Sequence, residues 1–137
     1  MVPIFFHVLI KISCVTLLHL ISMIQLELPY PPSVNHYWGQ AGKNRFIGKR
    51  GKEFRIAVAE ACLDAGIEAL EGRLAIHVAL FPPDKRARDV DNVLKPLLDA
   101  CEHAGCFMND NQIDELHIIR QGIRKGGACT VVILPID

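Results

Sequence analysis

The sequence has no excess charge of either sign, because 15 Lys and Arg residues balance 15 Asp and Glu residues. Charged residues make up 22% and hydrophobic residues 50% of its 137 positions. That composition excludes a disordered chain, a collagen-like repeat and a strongly basic coat protein. Taken alone, the charge balance also argues against a nucleic-acid partner, because phosphate binding is mainly electrostatic. The length predicts one compact domain.

The five cysteines lack the spacing of a zinc site or a disulfide framework: no CxxC pair occurs, and the interval from Cys101 to Cys106 does not suit a zinc knuckle. Cys62 and Cys101 fall on the apolar faces of predicted helices. We therefore interpret the cysteines as buried, reduced thiols of a cytoplasmic protein. The six histidines form no HxxxH or HExxH motif, and we interpret them as structural or surface residues.

Residues 1–22 lack the uninterrupted apolar run of about 18 or more residues that a membrane-spanning helix needs, because Lys11 interrupts it. They also lack the positive start and the cleavage site of a signal peptide. Two interpretations remain, a targeting or membrane segment, or an upstream start codon that adds non-native residues before a working start at Met23. We favour the second, because a strand-like alternation begins directly after Met23, and we expect residues 1–22 to be poorly packed.

The rest of the chain predicts the element order β-α-β-α-β-β. The predicted strands cover residues 24–28, 74–81, 113–120 and 130–134, and the predicted helices cover residues 52–65 and 92–104. Residues 29–35, rich in proline, and residues 39–51, rich in glycine and basic side chains, are predicted loops. Gly66 and Gly105 are predicted to end the two helices. The fold class is therefore α/β (α+β), a mixed sheet of about four strands with two helices packed on it, in one domain over residues 23–137.

A dense group of charged residues, DKRARDVDNVLK, occupies residues 84–95 between a predicted strand and a predicted helix. In extended backbone, residues i and i+2 point the same way, so Asp89 and Asp91 can direct two carboxylates to one point. Mg²⁺ is typically held by one or two carboxylates together with water and phosphate oxygens. The alternative is structural: Asp91 or Asn92 caps the helix, and the neighbouring aspartate is solvated.

Asp110 strengthens the metal hypothesis. The helix predicted over residues 92–104 rises about 19 Å, and residues 105–110, if extended, return about 20 Å. Asp110 then lies beside Asp89 and Asp91, provided that the return path runs antiparallel to the helix. Three carboxylates would surround one or two metal ions. The alternative for Asp110 is ordinary turn chemistry.

Basic residues border the aspartates. Lys95 follows Asp91 at the spacing of helical neighbours, where it either neutralises a carboxylate or contacts a scissile phosphate. Candidate contacts to a polyanionic substrate are Lys43, Arg45, Lys49, Arg50, Lys85, Arg86 and Arg88. Tyr37 and Trp38, next to the first basic segment, either stack on exposed bases or belong to the core.

Three motifs in this order resemble the RusA family of Holliday-junction endodeoxyribonucleases of phages and prophages. They are LPYPPSVN at residues 28–35, RDVDNVLKPLLDA at residues 88–100 and NDNQI at residues 109–113. The resemblance extends over about residues 24–135. Two departures are Asn109, where many members carry an acid, and residues 1–22, which have no counterpart in the family.

The resemblance implies a catalytic cluster in which Asp89, Asp91 and Asp110 bind Mg²⁺, with Mn²⁺ as a possible substitute, and in which Lys95 is the catalytic lysine. It further implies metal-assisted hydrolysis of DNA phosphodiesters, paired cleavage of a four-way junction by a homodimer, and DNA contacts by Asn35 and the basic residues. Two alternatives stay open. One is a prophage remnant that binds junctions without cutting them, and the other, resting on residues 1–22 alone, is a membrane-associated interaction protein.

Overall fold

A four-stranded mixed sheet forms the centre of the chain in a computed structural model that describes residues 22–136. In chain order the elements are β1 (Ile24–Leu28), α1 (Val34–Tyr37), β2 (Trp38–Ala41), β3 (Asn44–Ile47), α2 (Lys49–Ala65), β4 (Arg73–Phe81), α3 (Leu94–His103), β5 (Ile113–Arg120) and β6 (Ala128–Ile136). The strand order is β1-β6-β4-β5, and β6 runs antiparallel to both of its neighbours. Strand β5 runs parallel to β4, with α3 between them in the chain. The predicted α+β class and mixed sheet are confirmed.

The main core lies between one face of the sheet and the helices α2 and α3. Strand β1 alternates buried and exposed residues as predicted, and its buried side chains join those of the central strands and the helices. Members of this core include Leu26, Ile76, Val78, Leu80, Val131, Phe54, Val58, Leu97 and Cys101. Full burial of such a side chain stabilises the fold by about 1.5–3 kcal/mol. A smaller cluster of Ala79, Phe81, Val132 and Leu134 occupies the other face.

The glycine-rich basic segment is not the predicted loop, because β2 and β3 form an antiparallel hairpin there. The turn carries Gly42 at a φ of 60°, a left-handed conformation that glycine adopts without a steric penalty. The Phe46 ring packs over Gly39 so closely that a Cβ at Gly39 would lie 2.5 Å from it. Glycine therefore marks a close approach inside a hairpin at this position.

Helix α2 begins at Lys49, three residues before the predicted start. Gly51 belongs to the segment that the sequence predicts as a loop, yet it lies in the first turn of the helix and is buried. A Cβ at this position would lie 2.5 Å from the Tyr37 carbonyl oxygen, so packing against α1 requires glycine within the helix. The predicted end is confirmed, since Gly66 adopts a left-handed conformation and its N–H donates to the Cys62 carbonyl.

The second helix differs at its start. Residues 90–93 form a 3-10 turn, and α3 begins only at Leu94. The capping alternative for Asp91 and Asn92 is wrong, because neither residue holds an N-cap position and neither helical start has a side-chain cap. Gly105 closes the end as predicted, with a φ of 89°. Strand β6 extends beyond the predicted residues 130–134 at both ends.

The four cysteines of the described residues are free and buried, as predicted. Burial raises the pKa of the Cys62 thiol to about 12, which keeps it protonated and unreactive at neutral pH. The rings of His77 on β4 and His117 on β5 stack with centroids 4.5 Å apart. The expectations for Cys14 and for residues 1–21 lie outside the described residues. Within residues 22–136, no helix has the length and apolar character needed to cross a membrane.

Candidate active site

Asp89 and Asp91 lie on the segment that joins the carboxyl end of β4 to α3, and both are exposed. Asp89 has extended backbone, but the extended conformation expected through Asp91 is wrong, because the 3-10 turn begins at Val90. The Asn92 N–H donates to the Asp89 carbonyl at 3.2 Å and closes this turn. Within residues 22–136, the carboxylates of Asp89 and Asp91 have no ion pair or hydrogen bond. Two exposed carboxylates therefore remain open to a cation.

Lys95 is paired with Asp110 and not with Asp91. Its Nζ lies 2.6 Å from Asp110 Oδ2, and this hydrogen bond raises the pKa of Lys95 above its ordinary value. The chain thus returns far enough along α3 for Asp110 to contact Lys95, and the predicted position of Asp110 beside Asp89 and Asp91 stays a prediction. Of the two roles considered for Lys95, the structure shows neutralisation of a carboxylate.

The Gln112 side chain holds the turn that carries Asp110 in place. Gln112 Oε1 accepts from the N–H groups of Met108 and Asn109 at 2.9 and 3.0 Å. Its Nε2 donates to the carbonyls of Leu70 and Gly72 at 3.1 and 3.0 Å. All four hydrogen-bonding positions of the Gln112 amide are therefore used, which ties the turn to the segment before β4.

Asn109, one of the two departures from the family pattern, has a structural role in this turn. Its Oδ1 accepts from the Asn111 N–H at 2.9 Å, and together with Gln112 it forms a capping box. The Asp110 N–H in turn donates to Glu102 Oε2 on α3 at 3.1 Å. The backbone N–H of Asp110 and its carboxylate therefore both bond to side chains of α3.

The three predicted metal ligands are not assembled into one cluster. Among residues 22–136, no group of three or more His, Cys, Asp or Glu side chains is placed to hold a metal ion. Asp110 is neutralised by Lys95, whereas Asp89 and Asp91 are unpaired. The oxygen donors of Asp89 and Asp91 fit Mg²⁺, which commonly takes one or two protein carboxylates and fills its other positions with water and phosphate oxygens. Asp110 fits as a third ligand only if Lys95 moves away.

Arg88 is held within the loop before the aspartates. It donates two hydrogen bonds to the Asp84 carboxylate, at 2.7 and 3.1 Å, and these bonds lower the pKa of Asp84 to about 2. The Arg88 carbonyl also accepts a hydrogen bond from the Arg120 side chain on β5. The charge of Arg88, a predicted phosphate contact, is therefore already compensated by Asp84. Its hydrogen bonds also fix the backbone next to Asp89.

The other predicted DNA contacts surround the site on several elements. Arg45 lies over the Trp38 ring at 4.4 Å, and Arg50 and Arg86 line a common cleft with Asp89. Those with exposed side chains are Asn35, Lys43, Arg45, Lys49, Arg50, Lys85 and Arg86. Tyr37 is fully buried, so its predicted stacking on bases is wrong, while the corresponding prediction for Trp38 stays untested.

Sequence reasoning missed the network that buries Tyr37. The Tyr37 hydroxyl donates to Asp99, while Arg55 donates to Asp99 Oδ2 and to the Tyr37 oxygen, both at 2.7 Å. Burial, together with the hydrogen bond to Asp99, raises the pKa of Tyr37 to about 12. Burial alone would raise the pKa of Asp99, but the hydrogen bonds from Tyr37 and Arg55 lower it. The network locks α1, α2 and α3 together, and its members are too far apart in sequence to form a local motif.

Comparison with known proteins identifies a consistent set of relatives. A family model described as endodeoxyribonuclease RusA matches residues 29–133. The chain is 37% identical over 114 residues to the crossover junction endodeoxyribonuclease rusA of Enterobacteria phage HK97, covering 82% of this chain and 95% of that protein. It is 29% identical over 109 residues to the Escherichia coli K12 protein of that name, covering 79% and 91%. The Enterobacteria phage 82 protein is 30% identical over 112 residues, with coverage of 79% and 91%.

Proposed function

Because the chain belongs to the RusA endodeoxyribonuclease family, we propose that it is a Mg²⁺-dependent endodeoxyribonuclease that resolves Holliday junctions. It would hydrolyse phosphodiester bonds in pairs during DNA recombination and repair, in the cytoplasm. The observation that carries the proposal is the unpaired pair of carboxylates, Asp89 and Asp91, on a loop that borders an arginine-lined cleft. The two carboxylates can bind a metal ion, because no cationic side chain is paired with them among the described residues. The arginines of the cleft can bind a phosphate.

Asp89 and Asp91 would hold Mg²⁺, or Mn²⁺ in its place, with Asp110 as a third ligand once Lys95 has moved from it. The bound metal would activate water and stabilise the charge on the attacked phosphate. Lys95 is largely exposed beside Asp110, so its side chain would be free to turn from Asp110 to the scissile phosphate. There its ammonium would offset the negative charge that develops as the bond breaks.

The basic residues would bind the DNA backbone. Arg50 on α2 and Arg86 on the loop before α3 both line the cleft. Lys49 and Lys85 are their neighbours in the sequence, and Arg45 lies on β3. Contacts of this kind release counterions, so junction affinity would fall steeply as the salt concentration rises. A four-way junction has near two-fold symmetry, and matched nicks in two opposed strands require two identical sites. A two-fold symmetric homodimer meets that requirement.

Cleavage of a synthetic four-way junction by the full chain, with and without Mg²⁺, tests the proposal. Product should form only with a divalent metal, and Asp91→Asn should abolish it while leaving junction binding intact. Asp64→Asn provides a matched control, because Asp64 is an exposed aspartate at the far end of α2. Undiminished cleavage by Asp91→Asn rules out the assigned site.

The second candidate is a junction-binding protein without nuclease activity. One observation favours it: Asp110, a proposed metal ligand, is neutralised by Lys95. In addition, the family resemblance implies an acid at the position of Asn109. Tight junction binding with no product under Mg²⁺, Mn²⁺ or any other divalent metal would select this function over the enzyme.

A further inference from the structure

An open cleft of about 880 Å³ lies beside Asp89. One wall is the first half of α2, and the other is the loop before α3. The floor is formed by the proline-rich segment after β1. Residues of all three parts line it, among them Tyr30, Pro32, Arg50, Glu53, Ala57 and Arg86. The volume is at the upper end of the range of about 300–1,000 Å³ that is usual for pockets that enclose a small molecule.

We propose that this cleft receives one unpaired nucleotide from the branch point of the DNA substrate. The proposal rests on the function proposed above, and it adds a binding site for a base to the phosphate-binding surface. The base would lie between Tyr30 and α2, and its phosphate would point to Arg86 and Asp89. A base in this position would hold the backbone next to it against the catalytic carboxylates.

The inner part of the cleft suits the flat, apolar face of a base. At the bottom of the cleft Phe54 is buried in the core, and Tyr30 and Pro32 present ring surfaces to the cleft. Gly127 packs behind Tyr30 so closely that a Cβ there would lie 2.8 Å from the Tyr30 Cβ. Gly127 therefore restrains Tyr30 at its Cβ, and the Arg88 guanidinium lies over one side of the ring, 5.9 Å from its centroid. Bases of any identity stack favourably on such aromatic faces.

The rim supplies the polar and charged groups that a nucleotide needs. Arg50 has no ion pair or hydrogen bond within residues 22–136, and the closest partner of Glu53 is the exposed Lys49, 3.9 Å away. Both side chains lie about one helical turn apart on the same wall. A carboxylate accepts hydrogen bonds from the amino group of a base, and a guanidinium donates to a carbonyl or a phosphate. Arg50 and Glu53 can therefore distinguish bases at the nucleotide next to the cut.

A branch point supplies such a nucleotide more easily than duplex DNA does. Extruding a base costs the energy of unpairing and unstacking, and that cost is lowest where the base is already unpaired. Binding in the cleft would therefore favour branched DNA over duplexes that offer the same phosphates. This selectivity comes from the cleft and adds nothing to the affinity for the DNA backbone elsewhere.

The test uses the full chain and four-way junctions that carry 2-aminopurine, a base whose fluorescence rises on unstacking, at successive positions around the branch point. Ca²⁺ replaces Mg²⁺ so that binding is read without cleavage. Ala57→Phe fills the cleft, and Ile56→Phe is the matched control, because Ile56 is 59% exposed on the same helix and does not line the cleft. Circular dichroism establishes that both variants fold.

We expect fluorescence to rise at one position next to the branch point with the wild type and with Ile56→Phe, and to stay low with Ala57→Phe. Ala57→Phe should also cleave with Mg²⁺ about tenfold more slowly, in keeping with the loss of one stacked base. Glu53→Ala, which leaves the cleft open, should keep the rise and lose discrimination among the four bases at that position.

Cleavage by the wild type with no fluorescence rise at any position overturns the cleft proposal and leaves the nuclease function standing. An equal rise with Ala57→Phe overturns it as well. A rise that Ala57→Phe removes, in a protein that cuts no junction, supports the cleft and refutes the nuclease function.

Discussion

Lys95 Nζ lies 2.6 Å from Asp110 Oδ2, and this ion pair joins the first turn of α3 to the turn that precedes β5. The family resemblance implies that both groups are catalytic, and in this structure each one neutralises the other. The pair is partly exposed, so as an isolated surface contact it contributes at most about 1 kcal/mol to folding. We therefore expect the pair to matter for activity rather than for stability, because it places an ammonium and a carboxylate together in the candidate site.

Removing the Lys95 side chain should separate catalysis from binding. Lys95→Ala should slow single-turnover junction cleavage by about 10²-fold, the loss typical when one group that stabilises transition-state charge is removed. Junction affinity, measured by gel shift in Ca²⁺, should change far less, because many other basic residues remain. Lys125→Ala, in the exposed turn before β6, should leave both quantities unchanged. Equal losses of rate and affinity would show that Lys95 only binds DNA.

Gln112 should be essential for the position of Asp110. Gln112→Ala leaves the hydrogen-bonding groups of Met108, Asn109, Leu70 and Gly72 without their partner. The expected loss is about 1–3 kcal/mol in the free energy of unfolding, measured by urea denaturation, together with slower cleavage. Asn111→Ala is a control in the same turn, since its side chain makes no hydrogen bond within residues 22–136.

The sequence predicts the local motifs of this protein well and its long-range contacts poorly. The four sheet strands and the end of α2 at Gly66 follow from periodicity and helix-end chemistry within short windows. Gly51 shows where such local reasoning fails, because glycine there predicts a loop. Its place in the first turn of α2 is explained by the Tyr37 carbonyl that packs on it. The pairing of Lys95 with Asp110 likewise depends on tertiary structure, although helical spacing pointed to Asp91.

Tyr37 should make the stability of the fold depend on alkaline pH. Its pKa is raised from 10.0 to about 12, so the stability it contributes is complete below about pH 10 and is lost as the pH rises toward 12. The maximum difference is roughly 2–3 kcal/mol. Urea unfolding between pH 8 and pH 12 should show this decline in the wild type and not in Tyr37→Phe, which does not ionise. Parallel curves for the two proteins would refute the role assigned to burial and to Asp99.

Arg88 should act by orienting the backbone before Asp89, because its guanidinium is already bound to Asp84. Lysine cannot reproduce a two-bond contact with a carboxylate, so Arg88→Lys should slow cleavage by about tenfold or more through misplacement of the neighbouring aspartate. Junction affinity should fall less, since the charge is kept. Arg124→Lys is the control, because Arg124 lies over the Phe81 ring, 3.9 Å from its centroid, and does not line the cleft. If Arg88→Lys weakens binding as strongly as it slows cleavage, Arg88 contacts the DNA directly and the orienting role is wrong.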